Sequence, residues 1–276
     1  MIIDSHHHFW KYDPAEYGWI DESMSAIRRD FLADDLKQAI ESAGVDGVIS
    51  VHARQSLEET HGLLSIANES PFVRGVVGWV PLVSDRVKHD LEAVAADPKL
   101  RGVRHVLHDE TDEQYMARED FNRGVSLLKD FGLAFDILIF ERQLPSAIRF
   151  VDRHPEQVFV LDHLGKPKIK AGERDPWAKN LAELARRTNV YCKISGMATQ
   201  ADWQAWTEPA LREYFDVALD AFGPERLMAG SDWPVCLLAC GYKRWWDILR
   251  QWTSQMSEHQ TERFFASNAL KAYGLD

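Results

Sequence analysis

Met1-Ile-Ile-Asp-Ser-His-His-His-Phe-Trp10 opens the chain, and its reading sets the frame for everything after it. Met1, Ile2 and Ile3 predict a short buried strand, and Asp4 to His8 then place polar chemistry at its carboxyl end. Side chains alternate along a strand, so His6 and His8 face one way and His7 the other. Two imidazoles on one face can share a metal ion or act on one substrate carbonyl. The bland alternative is a run of surface histidines or an expression-tag remnant. Tags rarely sit inside a strand signal that continues into Phe9-Trp10.

Residues 11–30 are polar and aromatic, with Tyr12, Tyr17 and Trp19, and lack a helical period. A loop this long is usually functional or disordered. Two readings stand: a surface loop folded back on aromatic anchors, or a lid over His6 and His8. From residue 32 onward, helix and strand signals alternate. Residues 32–43 are amphipathic, with Leu36, Ile40 and Ala43 on one face, and Gly44 closes them. Apolar, largely β-branched runs at 47–52, 73–80, 100–106, 133–140, 158–163, 190–195 and 226–234 predict seven further strands. Helical patterns follow at 56–68, 84–96, 120–131, 144–153, 177–187, 208–222, 242–251 and 257–265. Ser56 with Glu59 and Ser257 with Gln260 read as capping boxes.

Eight strands, each followed by a helical pattern, predict a parallel sheet closed into a (β/α)8 barrel, as one domain over residues 1–276. An open doubly wound sheet is the alternative. No Gly-x-Gly-x-x-Gly follows the first strand, so a dinucleotide site loses support.

A net charge of -11 argues against a nucleic-acid partner, because phosphate binding needs a basic surface. No apolar run is long enough to span a bilayer, and the first residues lack the pattern of a secretory signal. Cys192, Cys236 and Cys240 are odd in number and widely spaced, which fits packing thiols in a reducing cytoplasm. The expectation is a cytoplasmic protein with a small-molecule partner and no membrane. A homo-oligomer stays open.

In a barrel of this kind, active sites lie at the carboxyl ends of the strands. His6 and His8 fall there after the first strand, His52 after the second, Arg104 and His105 on the fourth, His163 after the sixth, Lys193 on the seventh and Asp232 after the eighth. Such a ring suits hydrolysis of an activated carbonyl. A carboxylate takes a proton from water, and imidazoles, or a metal they hold, stabilise the oxyanion. Asp232 is the best base candidate; its bland role is to cap a turn. His163 polarises the carbonyl or pairs with Asp162. Lys193 orients a hydroxyl or carboxylate, or simply reaches solvent. Arg104 either contacts substrate or anchors a loop carboxylate.

Six segments then coincide. They are Ile3-Asp-Ser-His-His-His-Phe-Trp10, Gly75-Val-Val-Gly-Trp-Val80, Gly102-Val-Arg-His105, Leu161-Asp-His-Leu-Gly-Lys-Pro167, Cys192-Lys-Ile-Ser-Gly196 and Gly230-Ser-Asp-Trp-Pro-Val235. In this order and spacing the chain resembles the amidohydrolase superfamily over nearly its whole length. Within it, the resemblance is to the sugar-lactonase branch, that of the L-fucono- and L-rhamnono-lactonases. The resemblance implies a distorted (β/α)8 barrel with His6, His8, His163 and Asp232 as its catalytic centre. It implies Asp232 as general base and the histidines as groups that polarise a lactone carbonyl. In many relatives the same groups ligate a divalent metal. This sequence departs from the two-metal pattern: Arg104-His105-Val106 offers no bridging lysine or glutamate, and the fifth strand carries Asp136 in place of a histidine. No required cofactor, or one zinc-like ion held by His6, His8 and Asp232, fits better.

The function expected on this resemblance is opening of L-fucono-lactone, or a close aldono-lactone, to the aldonic acid in sugar catabolism. Asp232 would take the water proton and return it to the leaving ring oxygen. His52, Arg104, His105 and Lys193 would bind hydroxyls, and Trp10, Trp19 or Trp233 would cover the apolar face of the sugar. One alternative is a metal-dependent decarboxylase or dicarboxylate-lactone hydrolase of the same superfamily, for which Arg104 and Lys193 are a thin supply of cations. Another is a barrel that only binds a sugar acid.

Overall fold

Eight strands pair in parallel, in sequence order, in the computed structural model, which describes residues 1–275. They are β1 (Ile3–His7), β2 (Gly47–Val51), β3 (Val73–Gly78), β4 (Leu100–Val106), β5 (Ala134–Leu138), β6 (Phe159–Leu161), β7 (Val190–Ile194) and β8 (Leu227–Ala229). The row closes on itself just past β8. The Asp232 amide donates to the His6 carbonyl at 2.8 Å, the His8 amide donates to the Trp233 carbonyl at 2.7 Å, and His7 bridges Trp233 in parallel. Helices between the strands complete the predicted (β/α)8 barrel.

The strands read as apolar runs because both faces are covered. On the outer face Phe135, Phe150 and Phe159 pack edge-to-face with centroids 5.4 to 6.1 Å apart. A second cluster joins Ile3, Ile49, Val77, Ala134, Val160, Tyr191 and Met228 to Ala266, Ala269 and Tyr273, so the last helical residues pack with side chains from seven strands. No helix among the described residues is long and apolar enough to cross a membrane.

Several boundaries differ from the sequence reading. β1 runs to His7 rather than ending at residue 3, because Asp4 and His7 pair with Val48 and Ser50 of β2. Asp4 to His7 therefore lie within the strand, and His8 follows directly after it. β6 and β8 stop early, where the backbone turns left-handed at His163 (φ 52°), Leu164 (φ 56°), Lys166 (φ 50°) and Asp232 (φ 61°). That conformation costs an L-residue roughly 1–2 kcal/mol, and such strain tends to collect at functional sites.

Residues 11–30 hold a short 3-10 helix, Glu22–Ile27, capped by Asp21. Trp10 and Phe31 exchange backbone hydrogen bonds at 3.1 and 2.9 Å, so the excursion returns to its origin. Tyr17, Ile20 and Ile27 are its buried anchors. Ser257 and Gln260 complete their capping box. Ser56 forms only half of one: its hydroxyl accepts the Glu59 amide, while the Glu59 carboxylate accepts from the Ala53 amide at 2.6 Å. All three cysteines are buried and free.

Candidate active site

Asp4 organises the seam where the barrel closes. Its buried carboxylate accepts from the Ser231 amide (2.8 Å), the Ser231 hydroxyl (2.6 Å), the Tyr242 hydroxyl (2.9 Å) and the His6 amide (3.2 Å). These bonds fix β1 against the turn that carries Asp232. A Cβ on Gly230 would stand 3.0 Å from Ser5 Oγ and 3.2 Å from His6 Cβ, so a bare backbone lets the two segments meet.

Above that seam, three imidazoles converge on one carboxylate oxygen. Asp232 Oδ1 lies 3.4 Å from His8 Nε2, 3.8 Å from His6 Nε2 and 3.9 Å from His163 Nε2. His6 and His8 approach each other at 3.2 Å through Nε2, while His7 points away, to Ser50 Oγ at 2.8 Å. This is the alternation expected of a strand. Burial raises the Asp232 carboxyl above the ordinary range against the pull of His163, Lys166 and Arg104, which makes it the stronger base. Burial lowers His8 to about 3 and His163 to about 4, so both are neutral near pH 7.

Partners set the tautomers. His8 Nδ1 meets the Val51 carbonyl at 2.7 Å; a carbonyl only accepts, so Nδ1 carries the proton and Nε2 presents its lone pair. His163 Nδ1 meets Ser195 Oγ at 2.8 Å, and a hydroxyl that donates there leaves the Nε2 proton facing the site. Gly196 (φ 65°) makes room for this ring: a Cβ there would fall 2.7 Å from His163 Nδ1.

Beneath His6 lies a balanced charge cluster. Lys193 Nζ is 2.6 Å from Asp136 Oδ2, 3.0 Å from Asp162 Oδ1 and 3.1 Å from His6 Nδ1. Arg104 donates to Asp162 Oδ2 at 3.0 Å and to the His52 carbonyl. Burial opposes the charge on Asp162, yet Lys193, His6 and Arg104 hold its carboxyl well below the ordinary range.

His6 Nε2, His8 Nε2 and Asp232 Oδ1, separated by 3.2, 3.4 and 3.8 Å, fit one divalent ion. Tetrahedral zinc with bonds of about 2.0–2.1 Å spaces its ligand atoms by about 3.3–3.4 Å. The His8 Nδ1–H bond to a carbonyl is the support a metal-ligating histidine takes. The second grouping of donors, His6, Asp162 and His163, does not fit another ion, because the Lys193 ammonium already stands against Asp162 and His6.

A cavity of about 560 Å³ opens over the ring. Its floor includes His8, Arg104, His163 and Asp232; its walls include Arg54, Val106, His108, Lys166, Gln200 and Trp203; its rim includes Glu16, Trp19, Gln55 and Asp109. Glu16, Gly18, Trp19 and Met24 come from residues 11–30, so this segment is both anchored by aromatics and a cover for the site.

Five residues expected to contact substrate do not line this cavity. Lys193 is fully buried and neutralised inside the barrel. His52 is spent on the Arg104 and Arg54 carbonyls, at 3.0 and 3.1 Å. His105 pairs with Glu110 at 2.6 Å and stacks on Tyr115. Trp10 and Trp233 pack edge-on against Phe31, with centroids at 5.6 and 5.2 Å, in the core under the covering segment. His6 also sits behind the wall, in contact with it through His8. Arg104 reaches the floor but its donors are committed to Asp162 and the His52 carbonyl. The residues that sequence reasoning passed over are Arg54, His108, Lys166, Gln200 and Trp203. Lys166 stands in the Asp162–Pro167 motif, but nothing in the pattern signals a left-handed turn that aims it inward.

An amidohydrolase family model matches residues 3–275. An L-fucono-1,5-lactonase of Burkholderia multivorans is 39% identical, over 100% of this chain and 96% of that one. A second L-fucono-1,5-lactonase, of Burkholderia ambifaria, is 34% identical, over 99% of this chain and 96% of its own. A crystal structure of an amidohydrolase from Burkholderia multivorans with zinc bound superposes with a TM-score of 0.94 at 39% identity, covering 99% of both chains.

Proposed function

The chain belongs to the amidohydrolase family, and from that membership we propose that it is a sugar lactonase, opening L-fucono-lactone or a close aldono-lactone to the aldonic acid. The observation that carries this reading is the convergence of three imidazoles on Asp232 at the floor of an open cavity. Identity of 34–39% with two L-fucono-1,5-lactonases over full length supports it. The cations of the site are a thin supply for a dicarboxylate: Arg104 is paired with Asp162, and Arg54 with Glu16 and Glu59, which leaves Lys166 alone without a carboxylate partner among the described residues.

Asp232 acts as general base on a water at the floor, and the bare Nε2 of His8 accepts that water's other hydrogen. The oxyanion forms against the Nε2–H of His163, with His6 behind it. His8 therefore holds water rather than the carbonyl, because Val51 has already claimed its only proton. These donors are fixed before substrate arrives, so little reorganisation is needed as charge develops. An ion held by His6, His8 and Asp232 would add Lewis acidity at the carbonyl oxygen. Trp19 and Trp203 offer apolar surface for the sugar ring.

The test is proton release from L-fucono-, L-galactono-, D-arabinono- and L-rhamnono-lactone, before and after chelation, by the wild type and Asp232→Asn. The expected result is turnover of at least one lactone and a loss of about 10²–10⁴-fold in kcat for the variant. A folded Asp232→Asn variant with near-normal kcat removes Asp232 from the mechanism. An inactive wild type, with zinc supplied, removes the lactonase reading.

A further inference from the structure

Lys166 is the one cation on the cavity wall with no carboxylate within ion-pair distance among the described residues; Arg54 and Arg104 are both paired. Its Nζ has a single hydrogen-bond partner, His108 Nδ1 at 3.4 Å, and lies 5.4 Å from the Phe140 ring centre. His108 in turn sets Nε2 against Asp109 Oδ1 at 3.2 Å. A carboxylate only accepts, so Nε2 holds the His108 proton and Nδ1 is free to accept from the ammonium. Burial keeps His108 neutral, pushed down to about 2, and pushes Lys166 down to about 8. Lys166 shares the left-handed turn of His163, with its amide on the His163 carbonyl at 2.8 Å.

Other donors on the wall are spent or of the wrong kind. The Thr199 hydroxyl is given to the Gly196 carbonyl and the Trp203 indole to the Thr199 carbonyl. The Trp19 indole and Gln200 amide do not release protons near neutral pH. Lys166 keeps two N–H groups for the space that Asp232 and His163 face.

Building on the lactonase reading, we infer that Lys166 is the general acid that protonates the leaving ring oxygen, with His108 and Asp109 positioning it. The water oxygen bonds to the carbonyl carbon as its proton passes to Asp232. The ring C–O bond then breaks, its electron pair stays on the ring oxygen, and that oxygen takes a proton from Lys166 Nζ. The proton on Asp232 returns to the neutral amine through water, so one water is consumed and both groups are restored. Two proton transfers that would otherwise fall on one carboxyl are thereby divided between two groups. A sugar alkoxide is a poor leaving group, and a placed acid is worth about 10²–10⁴-fold in rate.

The experiment measures kcat and KM for the lactone that the wild type turns over best, in Lys166→Arg, Lys166→Met and His108→Ala, with circular dichroism as the check on folding. Arginine keeps the cation but holds its proton too tightly to give it up. The expected result is a kcat loss of about 10²-fold or more in both Lys166 variants, with KM within about threefold, and a smaller kcat loss in His108→Ala. A Lys166→Arg kcat within tenfold of the wild type shows that charge alone suffices and overturns the inference. A loss confined to KM in either variant also overturns it, by making Lys166 a binding group. If Lys166→Met fails to fold, Lys166→Arg decides alone. An inactive wild type would remove the lactonase reading itself, an outcome separate from either result on the variants.

Discussion

Gly196→Ala separates backbone strain from disturbance of the site. Gly196 has φ 65°, and a Cβ there would meet His163 Nδ1 at 2.7 Å and Cγ at 2.9 Å. Ordinary contact begins at 3.4 Å, so the ring must withdraw by about 0.7 Å (3.4 less 2.7). That shift strains or breaks the 2.8 Å contact between His163 and Ser195 and turns Nε2 away from Asp232. Gly172 is the control: its φ is 68°, and a Cβ there would have nothing within 4 Å. Both alanines carry the left-handed penalty of about 1–2 kcal/mol. In a chain of this length that lowers Tm by about 2–8 °C. Only Gly196→Ala moves His163, the group assigned to the oxyanion in the proposed mechanism, and a misplacement approaching 1 Å can cost about 10²-fold in rate. Thermal melts by circular dichroism, with initial rates of lactone hydrolysis well below Tm, read the two effects separately. Gly172→Ala is expected to lose stability and keep its kcat, whereas Gly196→Ala loses both, with kcat down about 10–100-fold. Equal kcat in the two variants would refute the argument that His163 acts from a fixed position.

Acid should destabilise the fold before it reaches the ordinary carboxylate range. His7 and His8 are held near 3 and His163 near 4, and His6, His52 and His108 also lie low, each through burial, against about 6.5 in the unfolded chain. The unfolded state thus binds more protons, and each such group costs up to about 1.4 kcal/mol per pH unit below 6.5. Raised carboxyls oppose this as pH falls, notably Asp4 near 6 and Glu59 near 7, with Asp136 and Asp232 also above their ordinary range, but they are fewer. Tm should fall between pH 6.5 and 5, and a Tm at pH 5 equal to that at pH 7 would contradict the sign. Lys193→Met strips Asp136 of its counter-charge and leaves Asp162 with Arg104 alone, and should cost about 3–5 kcal/mol in urea denaturation. Adding Asp136→Asn should return part of that loss, and a single variant as stable as the wild type would show the cluster to be dispensable.

Much of the barrel is legible in the sequence because its signals are local. The alternation of apolar runs with amphipathic stretches gives eight units, and the two-residue strand period puts His6 and His8 on one side. Asp232 stands out because it is alone past the end of its strand and is followed by Trp233-Pro234. What is illegible depends on partners from other strands. Lys193 at a strand end looks the same whether it meets substrate or, as here, Asp136 on β5 and Asp162 just past β6. His52 and His105 present the same ambiguity, since their partners lie on another strand (the Arg104 carbonyl of β4) or on loops (the Arg54 carbonyl and Glu110). Trp10 and Trp233 could have lined the cavity on composition alone; edge-on packing against Phe31 takes them into the core. Lys166 was hidden because strand patterns end where left-handed turns begin, and residues other than glycine leave little trace of such turns.

The ammonium of Lys193, wedged between Asp136, Asp162 and His6, brings a positive charge to a grouping of donors that would otherwise be open to a metal ion. This charge is synthesised with the chain. It does not depend on the supply of any element in the surroundings, is not lost on dilution, and cannot be displaced by a tighter-binding cation. The part of the electrostatic field beneath His6 that comes from Lys193 is therefore the same in every molecule, whatever the ionic history of the preparation.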